Sequence, residues 1–137
     1  MLPATALAAL AYGLPALIGD RLHHTHARRL LWLAWAAHAV ALLSLLVGPV
    51  RFGFAPAISV TAWLVVSAYI LESQFFPQFK ARWAMGILGS MAVVLAWFFP
   101  GTPLHPQASP WLPLHWALGL SAYGMFGAAV VHAWMMT

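Results

Sequence analysis

Cysteine is missing from all 137 residues of this chain. That absence excludes disulfides, thiolate metal sites and covalent attachment of a c-type haem to the chain itself. Charge is almost as scarce. Charged residues make up 6% of the chain, against about 25% in a soluble domain, so polar side chains cannot cover a globule of this size. Acidic groups are the scarcest, since Asp20 and Glu72 are the only two. Two carboxylates do not build a hydrolase, and the serines have no base–carboxylate pair to activate them. No glycine-rich phosphate loop, HExxH or GxSxG pattern occurs. The chain therefore reads as something other than an enzyme.

What fills the sequence is apolar: 64% of residues are hydrophobic and the mean hydropathy is +0.86. Such a chain hides its surface in lipid. Five apolar segments stand out, near residues 2–18, 30–47, 57–71, 83–99 and 111–135. Each approaches the roughly 20 residues that a helix needs to cross a bilayer. The runs are long, unbroken and apolar nearly all round, which favours helices over strands in lipid. The stretches "GDRLHHTHARR", "GPVRFGFAP", "ESQFFPQFKAR" and "PGTPLHPQASP" punctuate them. The expected fold is an all-α, polytopic transmembrane bundle of about five spans, forming a single domain over residues 1–137.

The six basic residues set the orientation. Arg21, Arg28, Arg29, Lys80 and Arg82 fall in loops on one side and only Arg51 on the other. The excess of Lys and Arg on the cytoplasmic side then puts the N-terminus outside and the C-terminus inside. Trp32, Trp83 and Trp134 fall near the inner interface, Trp97 and Trp111 near the outer one. A pI near 10.4 invites a nucleic-acid reading, but the basic residues are too few and too scattered for one. The first segment lacks a basic leader and its charges follow the apolar run, so it reads as a span rather than a cleaved signal. The last span runs to "HAWMMT" without a basic flank, the expectation for the N-terminal part of a longer protein.

Seven histidines are the conspicuous polar resource. His23, His24 and His26 form "HHTH" among arginines, a basic interfacial loop more than a metal site. His105 lies in the last outer loop and His132 at the inner interface, both read as solvated imidazoles. Two lie inside spans. His38 falls about 12 Å from the inner end of the second, by the 1.5 Å rise per residue. It is either hydrogen-bonded to a neighbouring helix, for instance to Ser44 or Ser67, or a haem ligand or proton-relay member. His115 falls about 6 Å inside the outer start of the fifth span. Ala117, Ser121, Gly124 and Ala128 follow at helical spacing and let another helix, or a flat cofactor, approach closely. The estimated depths of His38 and His115 differ by about 9–10 Å, which argues against one haem held between them.

"LPLHWALGLSAYGMFGAAVV" resembles the histidine-led helix of the cytochrome c assembly (CcsA/CcmC-like) membrane protein family: outer loop, His, apolar run, Ser-Ala-Tyr. "AISVTAWLVVSAYILES" resembles an earlier span of that family. "AHAVALL" and "AWFFPGTP" are most similar to its short branch, typified by YpjD and HemX proteins. The likeness covers roughly residues 30–137 and rests on order and spacing rather than one diagnostic motif. It implies a bacterial inner-membrane protein that binds or moves haem in cytochrome c assembly, with lipid, haem and other maturation proteins as partners. It implies His115 as the outward-facing axial ligand of the haem iron, with the partner histidine in a span beyond Thr137. It matches His38 to a histidine frequent in the short branch. The Trp-rich "WGxxWxWD" loop of haem-handling members does not occur in these residues. Two other readings stand beside this one: a regulatory or scaffold membrane protein, and a small transporter subunit with His38 and Glu72 along a polar path.

Overall fold

The computed structural model of the chain describes residues 2–18, 23–44, 51–75, 81–103, 109 and 111–135, and of the side chains of Leu2, His24, Pro113, Leu114, Val131, His132, Trp134 and Met135 nothing is described. Five helices run in order: α1 (Leu2–Ile18), α2 (His24–Ser44), α3 (Phe54–Phe75), α4 (Arg82–Phe98) and α5 (Leu112–Met135). The all-α expectation is met, with two short additions. β1 (Arg51–Phe52) follows α2, β2 (Thr102–Pro103) follows α4, and the two pair antiparallel, Arg51 opposite Pro103. Segments that the sequence marks only as breaks thus hold each other. Gly101 makes the pairing feasible: its φ is +78°, and a Cβ there would run into the Phe52 carbonyl.

Two helices start earlier than the apolar runs suggest. α2 begins at His24, so Arg28 and Arg29 belong to the helix and not to a loop. Their long aliphatic stems suit a helix end whose charged heads reach outward. α3 begins at Phe54 and carries Pro56 in its first turn, where the missing N–H has no intrahelical partner to lose. Among the described residues Phe54–Phe75 is long and apolar enough to cross a membrane by itself; Pro3–Ile18 and Arg82–Phe98 are apolar but shorter. Asp20, Arg21, Lys80 and His105, used in the topology argument or the histidine survey, lie outside the described residues.

Helices α1 to α4 close into a ring, α1 against α2 and α4, α3 against α2 and α4, while α5 packs on the outer side of α3. Small residues make the α1–α4 seam. A Cβ on Gly86 would come within 2.7 Å of the Tyr12 carbonyl, and one on Gly89 within 2.8 Å of the Tyr12 ring. Ser90 Oγ crosses the same seam to donate to the Ala9 carbonyl (3.2 Å). Close backbone approach through small residues is how helices associate where no hydrophobic force drives them together.

The α2–α3 seam is held instead by polar groups. Arg28 donates to Gln74 (2.6 Å), Trp35 Nε1 to Ser67 Oγ (2.8 Å) and Trp63 Nε1 to the Trp35 carbonyl (3.2 Å). The Trp35 and Trp63 rings stack with centroids 5.3 Å apart. Partner numbers on α3 fall as those on α2 rise, the register of an antiparallel pair. The arginine end of α2 therefore meets the C-terminal end of α3, and the β1–β2 pair, a hairpin-like clasp of two loops that α3 and α4 separate in sequence, lies at the opposite end of the ring.

The distribution of side chains inverts that of a soluble bundle. The buried core is built largely from small residues (Ala8, Ala11, Ala34, Ala37, Ala92) around Tyr12, Val66 and Ile70. Leu10, Leu17, Leu43, Leu71, Met91 and Phe126 are among many large apolar side chains left exposed. So many exposed large apolar side chains are the kind of surface that meets lipid or a partner.

Candidate functional site

His38 is the most buried polar group of the ring, with 0% of its surface exposed. α2 brings it inward between two neighbours. On one side the Tyr12 ring of α1 meets it edge-on, centroids 5.8 Å apart. On the other, its Nε2 lies 2.8 Å from Ser59 Oγ on α3. Ser59 is itself 2% exposed. Other helix hydroxyls bond back to their own helix, as Thr61 does to the Ala57 carbonyl and Ser67 to that of Trp63. Ser59 turns to the imidazole instead. The sequence expectation of a hydroxyl partner from a neighbouring helix is met in kind but not in identity. Ser67 is taken by Trp35, and Ser44 Oγ donates to the Ala41 carbonyl of its own helix.

This geometry orders the protons. No other partner for the Ser59 hydroxyl occurs among the described residues. If Ser59 donates to Nε2, one buried polar atom is left over, the Nδ1–H. If Nε2–H donates to Ser59, the serine proton and Nδ1 are both left over. Each buried group without a partner costs about 1–3 kcal/mol, so the first arrangement is assigned. His38 Nδ1 then carries a proton and donates it to nothing among the described residues. Among the described residues Tyr12 Oη is the other buried side-chain polar atom without a partner. The sequence reading passed over both Tyr12 and Ser59. The available signals were a tyrosine in an alanine-rich span and a serine whose position in an antiparallel register meets His38.

His38 and Ser59 line a cavity of about 280 Å³ at the hairpin end of the ring. Thr5 of α1, Leu42 and Ser44 of α2, Val93 and Trp97 of α4 and Arg51 of β1 complete most of its wall.

His115 is placed differently. It is the fourth residue of α5, about 5 Å from the helix start, and it is exposed. Its side chain makes no hydrogen bond to the described residues. Next to it Trp116 stacks on Phe52 of β1, centroids 3.8 Å apart, which ties the start of α5 to the hairpin. One turn further, on the same face as His115, Gly119 has open space where a Cβ would stand. The stripe of Ala117, Ser121, Gly124 and Ala128 divides. Gly124 is buried, with Leu64 of α3 3.4 Å from where its Cβ would be, whereas Ala117 is exposed. That stripe serves helix packing, and the surface open to a flat group is the one that holds His115 and Gly119.

The two histidines expected inside spans are thus not brought together. His38 faces Tyr12 and Ser59 inside the ring; His115 sits on α5, outside it, and does not line the cavity. Along the helix axes both lie near the hairpin end, His38 about 9 Å from the end of α2. Their separation is therefore more one of sides than of depth. In "HHTH", His23 Nδ1 lies 2.6 Å from Thr25 Oγ1, and the His23 and His26 rings meet edge to face. Among the described residues no three His, Cys, Asp or Glu side chains converge to hold a metal ion.

As to a haem iron, His38 is a poor fit: its Nε2 is engaged by Ser59 and its cavity falls just below the range of about 300–1,000 Å³ typical of small-molecule pockets. His115 fits one side of such a group, with an accessible imidazole beside an open glycine face. No family model, curated protein or solved structure matches this chain.

Proposed function

We propose that this chain is a multi-pass protein of the bacterial inner membrane that handles haem in cytochrome c assembly, with His115 as an axial ligand on its outward side. The observation that carries the haem reading is the exposed imidazole of His115 on the same face as Gly119, at the end of the molecule that the hairpin closes.

The membrane part of the proposal is supported by the inverted side-chain distribution, with small residues inside and large apolar ones outside. Exposed Trp32 and Trp83 lie toward the arginine end, exposed Trp97 and Trp111 toward the hairpin end, as interfacial belts require. Arg28, Arg29 and Arg82 gather at the first end and Arg51 at the second. By the excess of basic residues on the cytoplasmic side, that supports an outward-facing β1–β2 end.

A bound haem supplies an iron centre that takes a neutral imidazole as axial ligand. In this chain His115 would hold it, Gly119 would leave room for its plane, and the Phe52–Trp116 stack would keep the start of α5 fixed against the hairpin. Any second protein ligand would come from outside the described residues. His38 is assigned to the ring interior and not to this haem.

The test is a haem titration of the full chain, purified in detergent and followed by its Soret band. His115→Ala is expected to lose most of the bound haem and His38→Ala to keep it. Full-length protein that takes up no haem after supplementation contradicts the reading. The scaffold alternative draws on one observation: α5 leaves Leu118, Met125, Phe126 and Val130 exposed. If it holds, His115→Ala is silent and bulky replacement of Gly124 abolishes function.

A further inference from the structure

The first turns of α2 carry an exposed row that neither the ring interior nor the proposed haem site uses. His23, His26 and Arg29 follow one another at a spacing of three, with Trp32 and Leu33 one turn beyond Arg29, and all five are exposed. The order along the helix is basic, then indole, then aliphatic. Arg28 is tied to Gln74 of α3, but Arg29 makes no hydrogen bond or ion pair to the described residues. The Nε1–H of Trp32, whose ring meets Trp35 edge-on, has no hydrogen-bond partner among them either. By the rise per residue, Trp32 lies about 5 Å and Leu33 about 6 Å along the helix from Arg29. Charge at this end of α2 is unbalanced. Residues 19–29 hold Arg21, Arg28 and Arg29 against Asp20 alone, and the first turn of α2 has no acid. The positive end of the helix dipole adds to the same sign. Glu72, at this end of α3, is already engaged. A free inorganic anion meets Arg29 and leaves the indole and Leu33 unmatched. A zwitterionic headgroup brings a cation to a row that holds no acid.

We infer that this row binds an anionic phospholipid: its phosphate accepts from Arg29 and the His26 ring, an ester carbonyl accepts from Trp32 Nε1–H, and an acyl chain lies along Leu33. Anionic headgroups attract basic side chains held at the membrane surface, and the donors here stand in the order of the lipid's own acceptors. The inference rests on the membrane part of the proposed function, and on neither haem nor the side that each end faces.

The test is native mass spectrometry of the full chain, released from detergent micelles doped with equal amounts of dioleoylphosphatidylglycerol and dioleoylphosphatidylcholine. Retention of phosphatidylglycerol in preference to phosphatidylcholine is expected. Arg29→Gln should lower that retention about fivefold, the effect of one basic side chain beside an anionic headgroup. Trp32→Phe keeps a ring, removes the N–H and should lower it about two- to fivefold. Both positions are exposed, so neither change disturbs the core. Arg51→Gln removes the same charge at the opposite end and should leave retention unchanged. Soluble glycerophosphoglycerol, the headgroup without its chains, should not displace the lipid. The inference is overturned by equal retention of the two lipids, by a loss in Arg29→Gln no larger than in Arg51→Gln, by unchanged retention in Trp32→Phe, or by displacement with the soluble headgroup, which would mark a phosphate site only. Equal retention leaves the membrane reading standing, whereas a chain recovered in the soluble fraction without detergent contradicts that reading itself. None of these readouts involves the Soret band or His115.

Discussion

At the scale of single residues, the ring interior is defined by polar atoms that are few and unequal. The His38–Ser59 hydrogen bond joins α2 to α3 between two buried side chains. Ser59→Ala leaves both imidazole nitrogens unpaired and should destabilise the chain by about 1–2 kcal/mol, read as a lowered melting midpoint in micelles. Tyr12→Phe works in the opposite sense. The Tyr12 hydroxyl is buried without a partner, while its ring fills the space above Gly89. Removing only the hydroxyl relieves an unmet donor and keeps the packing, so the midpoint should hold or rise. A fall as large as that of Ser59→Ala would show that the hydroxyl has a partner after all. The sequence made His38 visible as a misfit in an apolar run. It could not reveal Ser59 or Tyr12 as its neighbours, because those contacts depend on how far each helix turns about its own axis.

At the scale of elements, two kinds of seam hold the ring. Glycines and alanines let α1 and α4 approach closely, and a ladder of indole, hydroxyl and imidazole bonds fastens α2 to α3. Gly89→Ala drives a methyl into the Tyr12 ring and should cost about 1–3 kcal/mol, the usual range for overpacking. Gly127→Ala, with nothing within 4 Å of its Cβ, should be neutral or gain up to about 1 kcal/mol from helix propensity. Comparing the two melting midpoints separates a packing glycine from a free one. The helices themselves were largely legible: α1 and α5 follow their apolar runs to within a residue. α2 was read six residues short because basic side chains look like loop, although their stems suit a helix end. The β1–β2 pairing was not legible, since strands of two residues carry no period and the φ of Gly101 is a property of the fold.

At the scale of the whole molecule, the four-helix ring has distinct ends, and the chemistry gathers at one of them. His115, the His38 cavity, Arg51 and the Phe52–Trp116 stack all lie toward the hairpin, while Arg28 and Gln74 close the opposite end. The proposed haem role of His115 therefore depends on which side of the membrane the β1–β2 end faces. The lack of native cysteine makes that orientation directly measurable. Thr102, exposed in the hairpin, and Thr25, exposed at the start of α2, each accept a single cysteine at opposite ends. In spheroplasts producing the full chain and treated with a membrane-impermeant maleimide, Thr102→Cys should label at once and Thr25→Cys only after the membrane is permeabilised. The reverse pattern, or equal labelling of both in sealed spheroplasts, would contradict the outward placement of the His115 end.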